Sequence, residues 1–282
     1  MKHTEGWLEF RHTSARGTSR LYRQSWAPEG PAKAAILVAH GLGEHSSRYD
    51  YFAAHCTARG FAVHTLDHYG HGRSEGLRGH VERFSVYLDG LRALRDDVRG
   101  QHADLPLVLL GHSMGGLIAT AFLGEDQASF RGCVLSGPAL QSDVEPPALV
   151  MAVVRFISWL APTVPLIGLD PAGVSRDPEV VTAYVKDPLV HHGKATARLI
   201  AELSKSMRTT LAAAPSINLP LLVMHGDADV LTSPAGSQAL YDMAGSADKT
   251  LKLYPGLYHE IFHEPERDEV LGEMSAWLEA HL

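Results

Sequence analysis

Apolar residues fall along this chain in two rhythms. Short, nearly unbroken runs stand at Ala34–Ala39, Phe61–Leu66, Leu107–Leu110, Cys133–Leu135 and Leu221–Met224, and Leu251–Tyr254 forms a further run broken by a lysine. Such runs predict strands buried on both faces, as in a parallel sheet. Between them, helical spacing predicts helices over about Tyr49–Arg59, Phe84–Gln101 and Asp268–His281. Trp7–Phe10 and Arg20–Arg23 flank the turn-rich Ser14–Ser19 and predict a hairpin at the sheet edge. Strands alternating with helices imply an α/β fold, a mostly parallel central sheet with helices on both sides.

The alternation fails between about Ala139 and Pro215. That stretch carries Pro146, Pro147, Pro162, Pro165, Pro171, Pro178 and Pro188, and it shows no buried strand pattern. It does hold two helix candidates. Ala148–Leu160 is apolar nearly all round, broken by Arg155 and Ser158, and Thr196–Met207 places Leu199, Ile200 and Leu203 on one side. The pattern predicts a core built from residues 1–138 and 216–282, with a helical cap of 139–215 over the strand ends. Ala148–Leu160 is too short to span a bilayer. It either packs over an apolar pocket or meets a membrane surface, and one helix can do both.

Composition narrows the function. The 282 residues are 45% hydrophobic and 20% charged, which is ordinary for a soluble globular protein. A net charge of −7 without any basic run argues against nucleic acid as a partner. Two cysteines cannot make a disulfide framework. No apolar segment follows Met1–Gly6, and no run reaches membrane-spanning length, so a cytoplasmic protein is expected, with peripheral membrane contact through the cap as its one route to a bilayer.

Candidate chemistry centres on Gly111-His112-Ser113-Met114-Gly115, which sits between a predicted strand and the helix-forming Leu117–Leu123. A sharp strand-to-helix turn lifts its central side chain above the sheet, and it needs flanking glycines because a Cβ would clash there. Ser113 therefore reads as a nucleophile. Its partners should follow other strands, at their carboxyl ends. Asp229 follows Leu221–Met224 and His259 follows Leu251–Tyr254, giving the chain order serine, acid, histidine. Asp227 competes for the acid, but beside Gly226 it also suits a turn. The oxyanion donors are expected to be the backbone N–H groups of Met114, after the nucleophile, and of Leu42 in His40-Gly41-Leu42-Gly43. The histidines and cysteines show no metal-ligand spacing, and no dinucleotide fingerprint is present, so no cofactor is expected.

At this level of detail the chain resembles the monoacylglycerol lipases of the α/β-hydrolase superfamily, including bacterial and mycobacterial members. The resemblance is carried by His40–Tyr49, Asp67–Ser74, Gly111–Gly116, Val181–Leu189, His225–Gly236 and Tyr254–Glu260. It implies the α/β-hydrolase fold and a cofactor-free serine hydrolase that cleaves monoacylglycerols to glycerol and fatty acid. Ser113, Asp229 and His259 would form its triad, with Leu42 and Met114 as oxyanion donors. Glu44 and Arg48 match the family's polar network behind the oxyanion loop, and Tyr184 matches a cap residue near the glycerol end of the substrate. One departure is Phe262, where some relatives carry a second histidine; His263 stands beside it. A lysophospholipase or broad carboxylesterase would share the triad, and a non-catalytic lipid-binding protein would share only the fold.

Overall fold

The computed structural model describes residues 1–12, 17–142 and 147–282. Most of the expected turn of the first hairpin, and Pro146, lie outside these residues. Strands β1 (Lys2–Arg11) and β2 (Thr18–Ala27) pair antiparallel in register, longer than their apolar cores suggested. Then follow β3 (Ala34–Ala39), α1 (Asp50–Ala58), β4 (Phe61–Leu66), α2 (Ser85–Gln101), β5 (Leu107–His112), α3 (Met114–Asp126) and β6 (Gly132–Ser136). After β6 come α4 (Ala148–Leu160), β7 (Pro165–Ile167), α5 (Pro178–Lys186), β8 (Ala195–Thr196) and α6 (Ala197–Ala213). The chain closes with β9 (Leu221–Gly226), α7 (Pro234–Met243), β10 (Lys249–Tyr254) and α8 (Arg267–Ala280).

The main sheet has eight strands in the order β1-β2-β4-β3-β5-β6-β9-β10. All pairs from β4 to β10 are parallel; β1 and β2 join antiparallel at one edge. Because side chains alternate across a strand, each central strand feeds two cores. Leu107 and Leu109 of β5 join Leu37, Leu135 and Val223 beneath α2, α3 and α6. Val108 and Leu110 join Ile36, Val38, Val134 and Leu222 against residues of α1 and α8 on the other face. This two-sided burial is the physical reason the central strands read as continuous apolar runs.

Between β6 and β9 the structure departs from the sequence expectation in detail. A short antiparallel pair, β7 with β8, is present where no strand was expected. Helix α5 also went unpredicted, although Asp177 caps it through the Glu179 N–H and Pro178 occupies its first turn. Helix α4 packs against α6. Its one buried residue is Ser158, whose small side chain allows close approach of the two helices, while Leu149 (75% exposed), Trp159 (73%), Leu160 (67%) and Phe156 (59%) face outward. Among the described residues, no helix is long and apolar enough to cross a membrane.

Candidate active site

The turn from β5 into α3 positions Ser113. Its φ of 55° makes it the one non-glycine residue with positive φ among those described. L-residues pay for such backbone with steric strain, and strain of this kind persists only where the surroundings enforce it. The enforcement is visible on both sides. A Cβ on Gly115 would lie 1.9 Å from the Ala39 carbonyl oxygen, and one on Gly111 would lie 2.4 Å from the Gly115 oxygen. The elbow is thus pressed against β3 and back on itself, and the Ser113 side chain has only the cavity above the sheet to occupy.

Asp229 and His259 arrive from the ends of β9 and β10. Asp229 Oδ2 accepts from His259 Nδ1 at 2.6 Å, leaving Nε2 as the ring nitrogen free to serve the cavity. Thr232 Oγ1 lies 2.9 Å from the same oxygen, and the N–H groups of Leu231 and Thr232 donate to Oδ1 at 2.7 and 3.0 Å. Burial alone would raise the Asp229 pKa, but hydrogen bonds from His225 and His259, with the backbone donors, hold it well below the usual carboxylate range. Asp227 does something else. It is exposed, and its Oδ1 accepts the Gly256 N–H at 2.6 Å, clamping the turns after β9 and β10 together. Ser113 and His259 line the same cavity without a hydrogen bond between them. Serine–histidine contacts are commonly loose until substrate is bound.

Met114 opens α3, so its N–H has no partner within its own helix. Leu42 follows Gly41, whose Cα approaches Ser113 so closely that an added Cβ would meet the serine's Cβ at 3.0 Å. A buried polar network fixes this loop. Glu44 accepts the Gly41 N–H and, at 3.1 Å, the Tyr49 hydroxyl. Arg48 donates to Glu44 at 3.0 Å and grips Glu260 with both terminal nitrogens, the NH2 bond being 2.7 Å. His263, beside the departure at Phe262, donates to the Arg48 carbonyl at 3.1 Å and lies 3.1 Å from Glu260. Burial opposes ionisation of Glu44 and Glu260, but Arg48 outweighs it and both stay below the usual carboxylate range. Glu260 received no role from sequence; its place directly after His259 was the available signal.

The segment after α5 leans on the same loop. His191 donates its N–H to the Gly43 carbonyl at 2.8 Å, and His45 Nε2 lies 2.9 Å from Asp187 Oδ2. The Tyr184 ring covers the Arg48 guanidinium at 4.8 Å, and Tyr184 also lines the cavity. From below, His40 Nε2 accepts the His68 N–H at 2.9 Å, and Asp67 accepts the N–H groups of Ser46 and Arg73, each at 2.7 Å. The Asp67–Ser74 motif is therefore a support for the loop that carries Leu42.

One cavity, open to solvent, is lined by Leu42, Ser113, Met114 and His259. Its walls are mainly apolar, with Leu169, Val174, Leu203, Met207 and Leu231 on one part and Glu44, Tyr184 and Glu260 at a polar part. Helix α4 contributes nothing to the lining. Of the two expectations for Ala148–Leu160, packing over the acyl pocket does not match this placement, because the helix turns its large side chains away from the core. Among the described residues, no group of histidines, cysteines and carboxylates is arranged to hold a metal ion.

The sequence profile of a family described as serine aminopeptidase, S33, matches residues 30–266. A monoacylglycerol lipase of Mycolicibacterium smegmatis is 42% identical over 269 residues, covering 94% of this chain and 95% of that one. The human monoglyceride lipase is 34% identical, over 92% of this chain and 86% of its own. Among solved structures, the monoacylglycerol lipase of Paleococcus ferrophilus superposes with a TM-score of 0.82 at 32% identity, covering 93% of this chain and 99% of that one.

Proposed function

The chain belongs to the monoacylglycerol lipase family of α/β-hydrolase serine hydrolases, and from that membership we infer that it hydrolyses monoacylglycerols to glycerol and free fatty acid. It is a carboxylic ester hydrolase. The observation that carries the finer reading is the convergence of a strained Ser113 and an Asp229-bound His259 on one largely apolar cavity with a polar end. In the proposed mechanism His259 takes the Ser113 proton as the hydroxyl attacks the ester carbonyl. Asp229 fixes the imidazole with its proton on Nδ1 and stabilises the imidazolium. The N–H groups of Leu42 and Met114 receive the negative oxygen of the tetrahedral intermediate, at the positive end of α3. His259 then protonates the departing glycerol, and water repeats the cycle on the acyl-enzyme. No step calls for a cofactor.

Residues 139–215 act in this scheme as a cap that supplies the acyl channel through Leu169, Leu203 and Met207, with Tyr184 at the glycerol end. The outward apolar face of α4 supports a second role for the cap, peripheral docking on a lipid surface from which substrate is drawn. The test is a panel of mono-, di- and triacylglycerols and lysophospholipids, run with fluorophosphonate labelling of the wild type and Ser113→Ala. Monoacylglycerols should be cleaved fastest, and Ser113→Ala should lose both labelling and roughly 10⁶ in kcat. Equal rates on mono- and triacylglycerols would remove the single-chain cavity. A folded Ser113→Ala protein keeping more than a few per cent of activity would move the nucleophile elsewhere.

A further inference from the structure

His225 is the penultimate residue of β9, is fully buried, and has no part in the chemistry above. Its Nε2 lies 3.0 Å from Asp229 Oδ2, and its Nδ1 lies 2.7 Å from Ser237 Oγ on α7. The protons follow from the chemistry of the partners. An ionised carboxylate only accepts, so Nε2 bears the hydrogen that faces Asp229; Nδ1 then accepts from the Ser237 hydroxyl. The Asp229 carboxylate thus meets two imidazoles on one oxygen.

The other donors explain what the second imidazole adds. Leu231 and Thr232 hold Asp229 from within its own loop, and Thr232 Oγ1 also lies 3.0 Å from the Gly137 carbonyl, in the turn after β6. That loop reaches the surface on both sides of the acid, with Asp227 exposed and Val230 68% exposed. His259 stands on the next loop. Among the described residues, His225 is the only hydrogen-bond donor to Asp229 that belongs to the sheet itself.

We propose that His225, oriented by Ser237, is a positioning residue that ties the catalytic carboxylate to the end of β9 and draws part of the charge from the oxygen facing His259. The proposal rests on the assignment of Ser113, Asp229 and His259 given above. Two consequences separate it from a role in packing. Without the His225 N–H, Asp229 is less well aimed, so kcat falls while KM, set by the cavity walls, changes little. The oxygen also keeps more of its charge, which favours the protonated ring of His259 and moves the acid limb of the kcat/KM–pH profile to higher pH.

The experiment compares His225→Leu, His225→Gln and Ser237→Ala in steady-state hydrolysis of a monoacylglycerol and a p-nitrophenyl ester across pH, with folding followed by circular dichroism. His225→Leu should lose roughly 10- to 100-fold in kcat, the scale of one hydrogen bond to a charged group. His225→Gln, whose amide can still donate to Asp229 and accept from Ser237, should restore most of it. Ser237→Ala should move the acid limb in the same direction by less. A folded His225→Leu protein with wild-type kcat and an unmoved limb overturns the proposal, as does a loss that His225→Gln does not rescue. Should His225→Leu fail to fold, an unmoved limb in Ser237→Ala overturns it instead. Failure of the underlying triad shows separately, as activity surviving in Ser113→Ala.

Discussion

Two aspartates two residues apart, Asp227 and Asp229, show how little sequence distance separates an exposed carboxylate that clamps a turn from a buried one proposed for the chemistry. Asp229 is buried and meets His259 at 2.6 Å; Asp227 is exposed and holds Gly256. Asp229→Asn should therefore lose about 10⁴ in kcat by favouring the wrong imidazole tautomer. Asp227→Asn should keep kcat within a few-fold, and since its amide oxygen can still accept the Gly256 N–H, it should cost less than the ~0.5–1.5 kcal/mol that one hydrogen bond is worth. Steady-state kinetics and denaturant melts of the two variants check the ranking, and a reversed order would exchange their roles. Strand-end position and chain order single out Ser113, Asp229 and His259 as candidates, and the structure sets Asp229 against His259 and lines one cavity with Ser113 and His259. Glu260 and His225 were not legible in the sequence. Their importance lies in contacts with Arg48, 212 residues away, and with Asp229, and no local pattern announces an ion pair or a shared oxygen.

At the scale of elements, proline explains the misses. Helices α5 and α7 both begin at a proline, Pro178 and Pro234, each preceded by a residue in extended conformation. In sequence those prolines read as breaks; at the first turn of a helix proline costs nothing, since the N–H it lacks would be unpaired there. The strands β7 and β8 are too short for any periodicity to register. Helix α4 was placed correctly in the chain, but its spacing could not tell which side would face outward. Its side chains now allow a sharp test. Leu149→Lys with Trp159→Lys should abolish co-sedimentation with liposomes, since each large apolar side chain contributes ~1.5–3 kcal/mol when buried. Turnover of a soluble short-chain ester should not change, because neither residue lines the cavity. Slower soluble turnover with unchanged liposome binding would place α4 on the substrate path and end the docking role.

Across the whole molecule, the order of strands in space differs from their order in the chain, and that difference has a consequence in time. Ser113 follows β5, yet β6 must wait for β9, whose first residue lies 85 positions after the last of β6, before its free edge is paired. His259 arrives only with the loop after β10, the final strand. Contacts of such long sequence separation tend to form late, because closing the intervening loop costs entropy before the contacts repay it. A half-folded molecule would thus hold its elbow and its first six strands but lack Asp229 and His259, the proposed acid and base. In refolding from denaturant, ellipticity should recover ahead of ester hydrolysis, with the lag lengthened by destabilising the β9–β10 pair and untouched by changes in the β1–β2 hairpin. Recovery of both signals in a single phase would mean that the halves of the sheet assemble together. On this account the hydrolase acquires its activity at the last stage of its own folding.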